Sequence, residues 1–207
     1  LVTIFFMTLA GMNFATHFLA VRGRSFLPYK WDPEVRWFLV VMYASVLGIA
    51  LYLWGMMVYP DFWTALRFAA FNVVSIATTT GFANTDYNVW PMFAPLWMLF
   101  LSSFATCSGS TGGGIKMVRA IVLYKQVFRE VMRAIHPSAV HPIKLGNEIV
   151  ENKIIFAVLA FGFMYMVAIV SMTLAMSASG LDIVTAFSAV VASINNLGPG
   201  LELAGPS

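Results

Sequence analysis

Two apolar segments are each long enough to cross a lipid bilayer, and they constrain the fold more than any other feature of the chain. They extend from Trp37 to Met57 and from Lys153 to Met176. A transmembrane helix needs about 20 consecutive, mainly apolar residues. Only 10% of the 207 residues are charged, against roughly 25% in soluble domains. We therefore predict an all-α membrane protein that crosses the bilayer several times.

The two ends of the sequence suggest a piece of a longer protein. Residues 1–20 are apolar, and we interpret them as the end of another membrane helix. They lack the basic leader and cleavage site of a signal peptide. The last residues, NNLGPGLELAGPS, contain no closing element.

The basic residues predict which segments face the cytoplasm. Of the 12 Lys and Arg residues, four lie in 22–36 and seven in 116–153. Cytoplasmic loops carry an excess of Lys and Arg, so we place both segments inside. Segments 57–91 and 177–207 then face outside with four acidic residues and Arg67. An excess of acid on that side would attract cations.

The segment DFWTALRFAAFNVVSIA (61–77) is apolar but must begin and end on the outer side. As a helix, its roughly 16 residues reach about 24 Å, less than the ~30 Å hydrocarbon core. We interpret it as a re-entrant helix whose chain returns through TTTGFANTD. Irregular backbone at that depth is tolerated only when it is buried in protein or lines a water-filled path.

A weak internal repeat supports this interpretation. A shift of 117 residues aligns FNVVSIATTTG (71–81) with SAVVASINNLG (188–198). Two valines and the final glycine coincide, and each copy follows a complete apolar span. We infer a repeated unit of membrane helix, short helix, small polar segment and glycine.

The small polar segments predict an ion-selectivity filter. Backbone carbonyls can replace the water around a cation without holding it too tightly. Glycine reaches the positive φ values that aim carbonyls at one axis, and the C-terminus of a short helix carries about −0.5 charge. The alternative is a surface turn with Gly81 as the helix C-cap. The predicted filter residues are Thr78, Thr79, Thr80, Gly81 and Phe82, with Asn195, Asn196, Leu197, Gly198 and Pro199 in the second copy.

The sequence CSGSTGGGIK (107–116) interrupts the apolar segment 90–130. Each glycine costs a helix about 1 kcal/mol relative to alanine, so we predict a break in the inner half of the membrane. A flexible segment below the filter would serve as a gate, whereas the alternative is a kink that allows close helix packing. A phosphate-binding loop is rejected because Ile115 occupies the lysine position of that motif. The predicted gating residues are Cys107, Ser108, Gly109, Ser110, Thr111, Gly112, Gly113, Gly114 and Lys116.

Three motifs in this order, IATTTGFANTDY, CSGSTGGGIKMVR and NNLGPG, resemble the TrkH branch of the Trk/Ktr/HKT potassium-uptake proteins. The resemblance implies a four-repeat, cation channel-like fold that is only partly present here. It implies that K⁺ is the transported ion, that no cofactor is needed, and that the glycine-rich loop blocks the pore. It also implies a multi-pass protein of the bacterial inner membrane.

The resemblance implies a division of the chain into repeats. Residues 1–20 end the inner helix of the second repeat, and 21–35 form a cytoplasmic link. The third repeat then comprises a helix at 36–57, a pore helix at 61–77, a filter at 78–82 and a broken inner helix at 90–130. A second cytoplasmic link at 131–152 leads to a partial fourth repeat at 153–207, with a helix at 153–176, a pore helix at 182–194 and a filter at 195–199.

The resemblance implies protein partners in addition to the lipid bilayer. They are a second copy of the full-length chain and a cytoplasmic, TrkA-like ring of nucleotide-binding subunits; nucleic acid is not expected. The basic helix at 115–137 either anchors to anionic headgroups or docks such a partner. Asp86 either concentrates cations at the pore mouth or caps the next helix, and we expect Arg67 to pair with an acidic neighbour.

Other functions fit the sequence less well. A secondary transporter with discontinuous helices around a midplane site would also contain repeats and glycine-broken helices. A membrane scaffold gives no reason for two aligned filter-like segments. An enzyme is not expected, because no nucleophile–base arrangement is present and His17, His136 and His141 show no metal-ligand spacing. The single Cys107 excludes an internal disulfide.

Overall fold

The computed structural model describes residues 1–136, 141–146 and 148–206. Within these ranges most of the chain is helical, which confirms the all-α class. The helices are α1 Val2–Ala10, α2 Phe14–Gly23, α3 Leu27–Trp31, α4 Pro33–Gly55, α5 Phe62–Ala77, α6 Phe93–Ser102, α7 Met117–Ile135, α8 Asn152–Ala178 and α9 Ile183–Ile194. Two 3₁₀ turns, Tyr87–Val89 and Glu202–Ala204, and one hairpin of strands β1 Lys144–Leu145 and β2 Glu148–Ile149 complete the described elements.

Helices α4 and α8 are long and apolar enough to cross a membrane, with 23 and 27 residues. Helix α4 begins three residues before the predicted position 36. Asp32 accepts a 2.9 Å hydrogen bond from the Glu34 N–H, and Pro33 occupies the first helical position. Both features favour a helix start. Helix α8 agrees with the predicted 153–176 to within two residues at each end.

Helices α5 and α9 are too short to cross the hydrocarbon core. Their 16 and 12 residues correspond to about 24 and 18 Å, against a core of about 30 Å. Each starts at an aspartate that caps its first turn, Asp61 or Asp182. The Thr64 N–H and hydroxyl both donate to Asp61, which lowers the pKa of that carboxyl below its ordinary value. Both helices lie within one residue of the predicted pore helices.

The first 20 residues differ from the prediction of a single helix end. The chain breaks between α1 and α2, and the two helices meet at 103°. Gly11 lies against the Phe38 ring, where a Cβ would come within 2.9 Å of a ring carbon. Asn13 caps α2 by accepting a 2.9 Å hydrogen bond from the Ala15 N–H. The break therefore has its own cap and a close packing contact.

The two predicted cytoplasmic links also contain regular structure. Helix α2 continues to Gly23, so the link at 21–35 consists of the end of α2, the short helix α3 and the start of α4. In the link at 131–152, α7 continues to Ile135 and the β1–β2 hairpin follows, with Lys144 opposite Ile149. The residues between 136 and 141 lie outside the described ranges.

Helix α5 is enclosed by α4, α1 and α6, and its packing fixes where its C-terminus lies. Ala65 and Ala69 are fully buried, one helical turn apart on the same face. Small residues at a helix contact let the two backbones approach closely. Val73 continues this face toward the end of the helix. The buried face of α5 therefore holds residue 78 in the interior of the described bundle.

We predict that Ala69→Leu destabilises the protein by about 1–3 kcal/mol, since a fully packed contact cannot accept three more carbon atoms without strain. The measurement is the unfolding temperature of the full-length protein in detergent. Ala175→Leu is the matched control, because Ala175 is exposed on α8. Equal unfolding temperatures for the two variants would contradict the packing described for α5.

Candidate ion-conduction site

The chain leaves α5 and α9 in the same backbone conformation. Thr79 and Asn196 both have φ of 54°, in the left-handed region. Two residues later, Gly81 and Gly198 have φ of 81° and 97°. The positions differ by 117 residues, the shift that aligns the two sequence copies. The repeat inferred from the sequence is therefore present in the backbone geometry.

The hydrogen bonds that end the two helices are also equivalent. In each copy, the left-handed residue and the residue after it donate back to the last helical turn, which is a Schellman motif. Threonine or asparagine, rather than glycine, occupies the left-handed position. The alternative interpretation made Gly81 the helix C-cap, and this part of it is therefore wrong. The bonds are Thr79 to Ile76 (3.0 Å) and Thr80 to Ser75 (2.8 Å), matched by Asn196 to Ser193 (3.2 Å) and Leu197 to Ala192 (2.8 Å).

In the described part of the chain, no protein group donates a hydrogen bond to the carbonyls of 78–82 or 195–199. Buried carbonyls in proteins are nearly always paired with protein or water. These oxygens are therefore available to water or to a cation, which backbone carbonyls can coordinate.

The two segments meet at Gly81. A Cβ on this residue would overlap the Leu197 carbonyl oxygen and would lie 3.3 Å from a ring carbon of Pro199. Gly81 thus meets two separate requirements, a positive φ and direct contact with a neighbouring backbone. Gly198, at the equivalent position, has open space around its Cα. The contact brings a carbonyl of one repeat next to the filter segment of the other.

The threonine hydroxyls of the first segment bond to the protein. Thr78 Oγ1 donates to the Val74 carbonyl at 2.7 Å and lies 2.9 Å from Thr80 Oγ1. Thr79 Oγ1 accepts a 3.0 Å hydrogen bond from the Gly113 N–H. The hydroxyls therefore fix the shape of the segment, while its carbonyls carry the free lone pairs.

Asn195 anchors the second segment through its buried side chain. Its Nδ2 donates to Ser102 Oγ at 3.0 Å, and its Oδ1 accepts from the Tyr165 hydroxyl at 2.8 Å. The side chain thus ties the end of α9 to α6 and α8. Sequence reasoning placed Asn195 in the filter but missed Ser102 and Tyr165. Both are polar residues within apolar helices, and this feature of the sequence could have indicated them.

Asn72 is a second anchor that sequence reasoning missed. It is fully buried on α5, and its Nδ2 donates to the Asn84 Oδ1 at 2.7 Å. Asn84 follows the first filter segment along the chain. This bond holds the irregular segment that follows the predicted filter against α5.

The outer ends of the two repeats are joined by hydrogen bonds. The Tyr87 hydroxyl donates to the Gly200 carbonyl at 3.4 Å, and the Glu202 N–H donates to Asn88 Oδ1 at 3.2 Å. Asp86 accepts a 2.9 Å bond from the Asn88 N–H, so it caps the turn as one alternative proposed.

The expectation for Arg67 was wrong within the described residues. Its guanidinium lies over the Phe68 ring, 5.1 Å from the centroid, and no carboxylate of this part of the chain lies within ion-pair distance. Arg67 is on the exposed side of α5. A cation–π contact therefore takes the place of the expected ion pair.

The glycine-rich loop separates α6 from α7 and lies against both predicted filter segments. The break runs from residue 103 to 116, which is too long for a helix kink. Gly113 donates to Thr79, and a Cβ on Gly113 would overlap the Asn195 carbonyl oxygen. A Cβ on Gly114 would similarly overlap the Ser103 carbonyl. Only residues without side chains fit at these two positions.

The same loop is bonded to the break between α1 and α2. The Cys107 N–H donates to the Gly11 carbonyl at 2.9 Å, and the Thr111 N–H donates to the Ala10 carbonyl at 3.3 Å. Within the loop, Lys116 Nζ donates to the Gly112 carbonyl and lies 3.5 Å from Ser110 Oγ. The loop is therefore an ordered element held by bonds to the end of α1 and the break after it, to the segment after α5, and to itself.

The long apolar helices and the repeated short helices define an all-α membrane protein built from repeated units. The TrkH family model, described as a cation transport protein, matches residues 1–204. The chain therefore belongs to the TrkH family, which confirms the resemblance of its motifs.

Individual relatives agree with this membership. The Trk system potassium uptake protein TrkH of Salmonella typhimurium is 42% identical over 196 residues, which cover 95% of this chain and 41% of that protein. TrkH of Vibrio parahaemolyticus is 40% identical over 203 residues, which cover 97% of this chain and 42% of that protein. The crystal structure of the potassium transporter TrkH from Vibrio parahaemolyticus matches with a TM-score of 0.91 and 38% identity, over 98% of this chain and 44% of that chain. The present chain thus spans about two fifths of the length of these relatives.

We predict that Asn195→Leu destabilises the full-length protein by about 1–3 kcal/mol, because the Ser102 and Tyr165 hydroxyls lose a buried partner. Tyr165→Phe removes one of these bonds and should cost about 1 kcal/mol. Ser171→Ala serves as the control, since the exposed Ser171 hydroxyl bonds only to its own helix. The readout is the unfolding temperature in detergent. If Ser171→Ala lowers the unfolding temperature as much as Asn195→Leu does, the anchoring role of Asn195 is contradicted.

Proposed function

We propose that this chain forms part of a channel-like pore through which K⁺ enters the bacterial cell across the inner membrane. The observation that carries the proposal is the pair of equivalent segments, 78–82 and 195–199, whose carbonyls accept no hydrogen bond from the described part of the protein. The names of the relatives, all potassium uptake proteins of Trk systems, support K⁺ as the ion. The chain is about two fifths of such a protein, so the remaining repeats complete the pore.

The carbonyls of the two segments coordinate the ion in place of water. Carbonyl groups are neutral, so they bind a dehydrated cation without the attraction of a carboxylate, and the ion can leave again. The C-termini of α5 and α9 lie at the start of the two segments and contribute partial negative charge. The four acidic residues of the outer segments attract cations toward the mouth.

The loop at 107–116 acts as the gate. It lies against the start of both filter segments through Gly113, and its glycines allow it to change conformation. An ion that leaves the filter toward the cytoplasm must pass this loop. Movement of the loop away from Thr79 and Asn195 opens the path.

The full-length protein acts as a homodimer on a cytoplasmic ring of TrkA-like nucleotide-binding subunits. Helix α7 supplies a surface for contact with such a partner or with anionic headgroups. It is amphipathic and carries both basic and exposed apolar side chains, the latter being Tyr124, Val127, Phe128, Val131 and Ile135.

A secondary transporter is the second candidate, because broken helices around a central site also occur in that class. The break between α1 and α2 and the break between α6 and α7 favour it. Ion flux far above typical carrier turnover, in the absence of a coupled solute, separates a pore from a carrier. Flux that requires a second solute would instead identify a symporter.

We predict that Gly81→Ser in the full-length protein lowers the preference for K⁺ over Na⁺ by about tenfold. The added Cβ would overlap the Leu197 carbonyl at a φ of 81°, which L residues adopt at a cost of about 1–2 kcal/mol. The measurement is the ratio of K⁺ to Na⁺ flux in liposomes.

Gly180→Ser is the matched control for this experiment. Gly180 has a φ of 95° but open space around it, at the turn before α9. The Gly180→Ser variant therefore reproduces the backbone strain of Gly81→Ser without the contact to a filter carbonyl. Unchanged selectivity in Gly81→Ser, or an equal loss in Gly180→Ser, would contradict the filter proposal.

We predict that Gly113→Ala raises resting flux by about three- to tenfold, because its Cβ pushes the loop away from the Asn195 carbonyl. Gly113 is not in the left-handed region, so the substitution tests space alone. Gly48→Ala on α4 is the control, since a Cβ there would meet no other atom within 4 Å. Wild-type flux in Gly113→Ala would remove the gate from the proposal.

A further inference from the structure

Glu34 is a buried carboxylate that binds the beginning of the glycine-rich loop and the first turn of α7. It lies in the first turn of α4 and is only 6% exposed. Its Oε1 accepts a 3.0 Å hydrogen bond from the Ser108 N–H and a 2.8 Å bond from the Val118 N–H. Ser108 lies near the beginning of the loop, and Val118 is the second residue of α7. One oxygen atom therefore joins the start of the loop to the helix that follows it.

Helix α7 depends on this carboxylate for its N-terminal cap. The residue in the N-cap position is Lys116, whose side chain forms no cap and instead donates to the Gly112 carbonyl. The first N–H groups of a helix have no partner within the helix. An anion near them is favoured by the partial positive charge of the helix end. Glu34 supplies both the hydrogen-bond acceptor and the negative charge from a different helix.

The position of Glu34 is itself fixed by its neighbours. Asp32 accepts a bond from the Glu34 N–H at 2.9 Å and caps α4. The other oxygen of Asp32 accepts a 2.6 Å bond from the Thr16 hydroxyl on α2. The start of α4 is therefore attached to α2, and Glu34 extends that attachment to the loop and to α7.

The same network reaches the filter. Gly113 lies between the two residues that Glu34 binds, and its N–H donates to Thr79 at the start of the first filter segment. A loop that leaves the filter must move relative to Glu34, which binds Ser108 within the loop and Val118 just after it. The two bonds to Glu34 oppose that movement only while the loop lies beneath the filter.

We propose that Glu34 is a positioning residue that holds the gating loop in its blocking position. It acts through the backbone of the loop and does not touch the ion. The proposal rests on the gate described under the proposed function. It adds the residue that determines how stable the blocked state is, and it locates that control at the start of α4.

The test compares Glu34→Gln and Glu34→Ala in the full-length protein. Glutamine keeps the shape and one acceptor oxygen but loses the charge, so resting Rb⁺ flux per folded protein in liposomes should rise about threefold. Alanine removes both bonds, and flux should rise about tenfold or more. Hydrogen–deuterium exchange of 107–118 should become faster in the same order, while the helical core of α5 keeps its protection.

Glu151→Gln is the matched control. Glu151 is an exposed carboxylate in the N-cap position of α8, where its side chain forms no cap hydrogen bond. It removes a charge next to a helix start without breaking a bond to the loop. Its flux and its exchange at 107–118 should equal those of the wild type.

The outcomes separate this inference from the function on which it rests. Wild-type flux and wild-type exchange in both Glu34 variants would overturn it, as would a lower unfolding temperature with unchanged flux, or a flux below wild type. If Glu34→Ala does not fold, Glu34→Gln alone decides. If the wild-type protein conducts neither Rb⁺ nor K⁺, the proposed function fails, while the exchange of 107–118 still shows whether Glu34 holds the loop.

Discussion

Backbone groups that leave a helix within a bilayer must find partners, and this constraint organises the whole structure. Lipid offers neither donors nor acceptors, so irregular backbone is stable only where protein or water pairs with it. The chain leaves helical structure after α5, after α6 and after α9, and these three places lie together. Because these places lie in one region, the irregular segments can form hydrogen bonds with one another and with the side chains around them.

The pairing is unequal between donors and acceptors. After α5, the N–H groups of Thr79 and Thr80 return to the last helical turn, and the threonine hydroxyls bond to protein. The carbonyls of the same segment have no protein partner in the described ranges. A segment whose first N–H groups are bonded to the preceding helix, while its carbonyls accept no bond from the described part of the chain, is suited to a cation rather than to an anion. The equivalent segment after α9 has the same arrangement, with the Asn195 amide in place of the hydroxyls.

The glycine-rich loop satisfies its own backbone through elements that are remote in sequence. Gly11 at the α1–α2 break, Thr79 at the filter and Glu34 at the start of α4 each bind one part of it. These three partners lie outside the loop, so the conformation of the loop depends on how the elements that carry them are placed. A change in the position of α4 or α2 therefore alters the loop directly. This dependence connects the α1–α2 break and the start of α4 to the segment that follows α5.

The sequence by itself determined the spans, the short helices and the places where the chain leaves helical structure after α5, α6 and α9. These depend on apolar length and on local breaks such as Gly81 and the glycines of 109–114, which act within a few residues. Only the tertiary structure decided that Thr79 takes the left-handed position after α5, that Asn195 points into protein, that the first 20 residues break at Gly11, and that Glu34 caps α7. Each of these involves a partner tens of residues away or a competition between local conformations. Apolar periodicity carries no information about such partners, because it records burial and not the identity of the group across the contact.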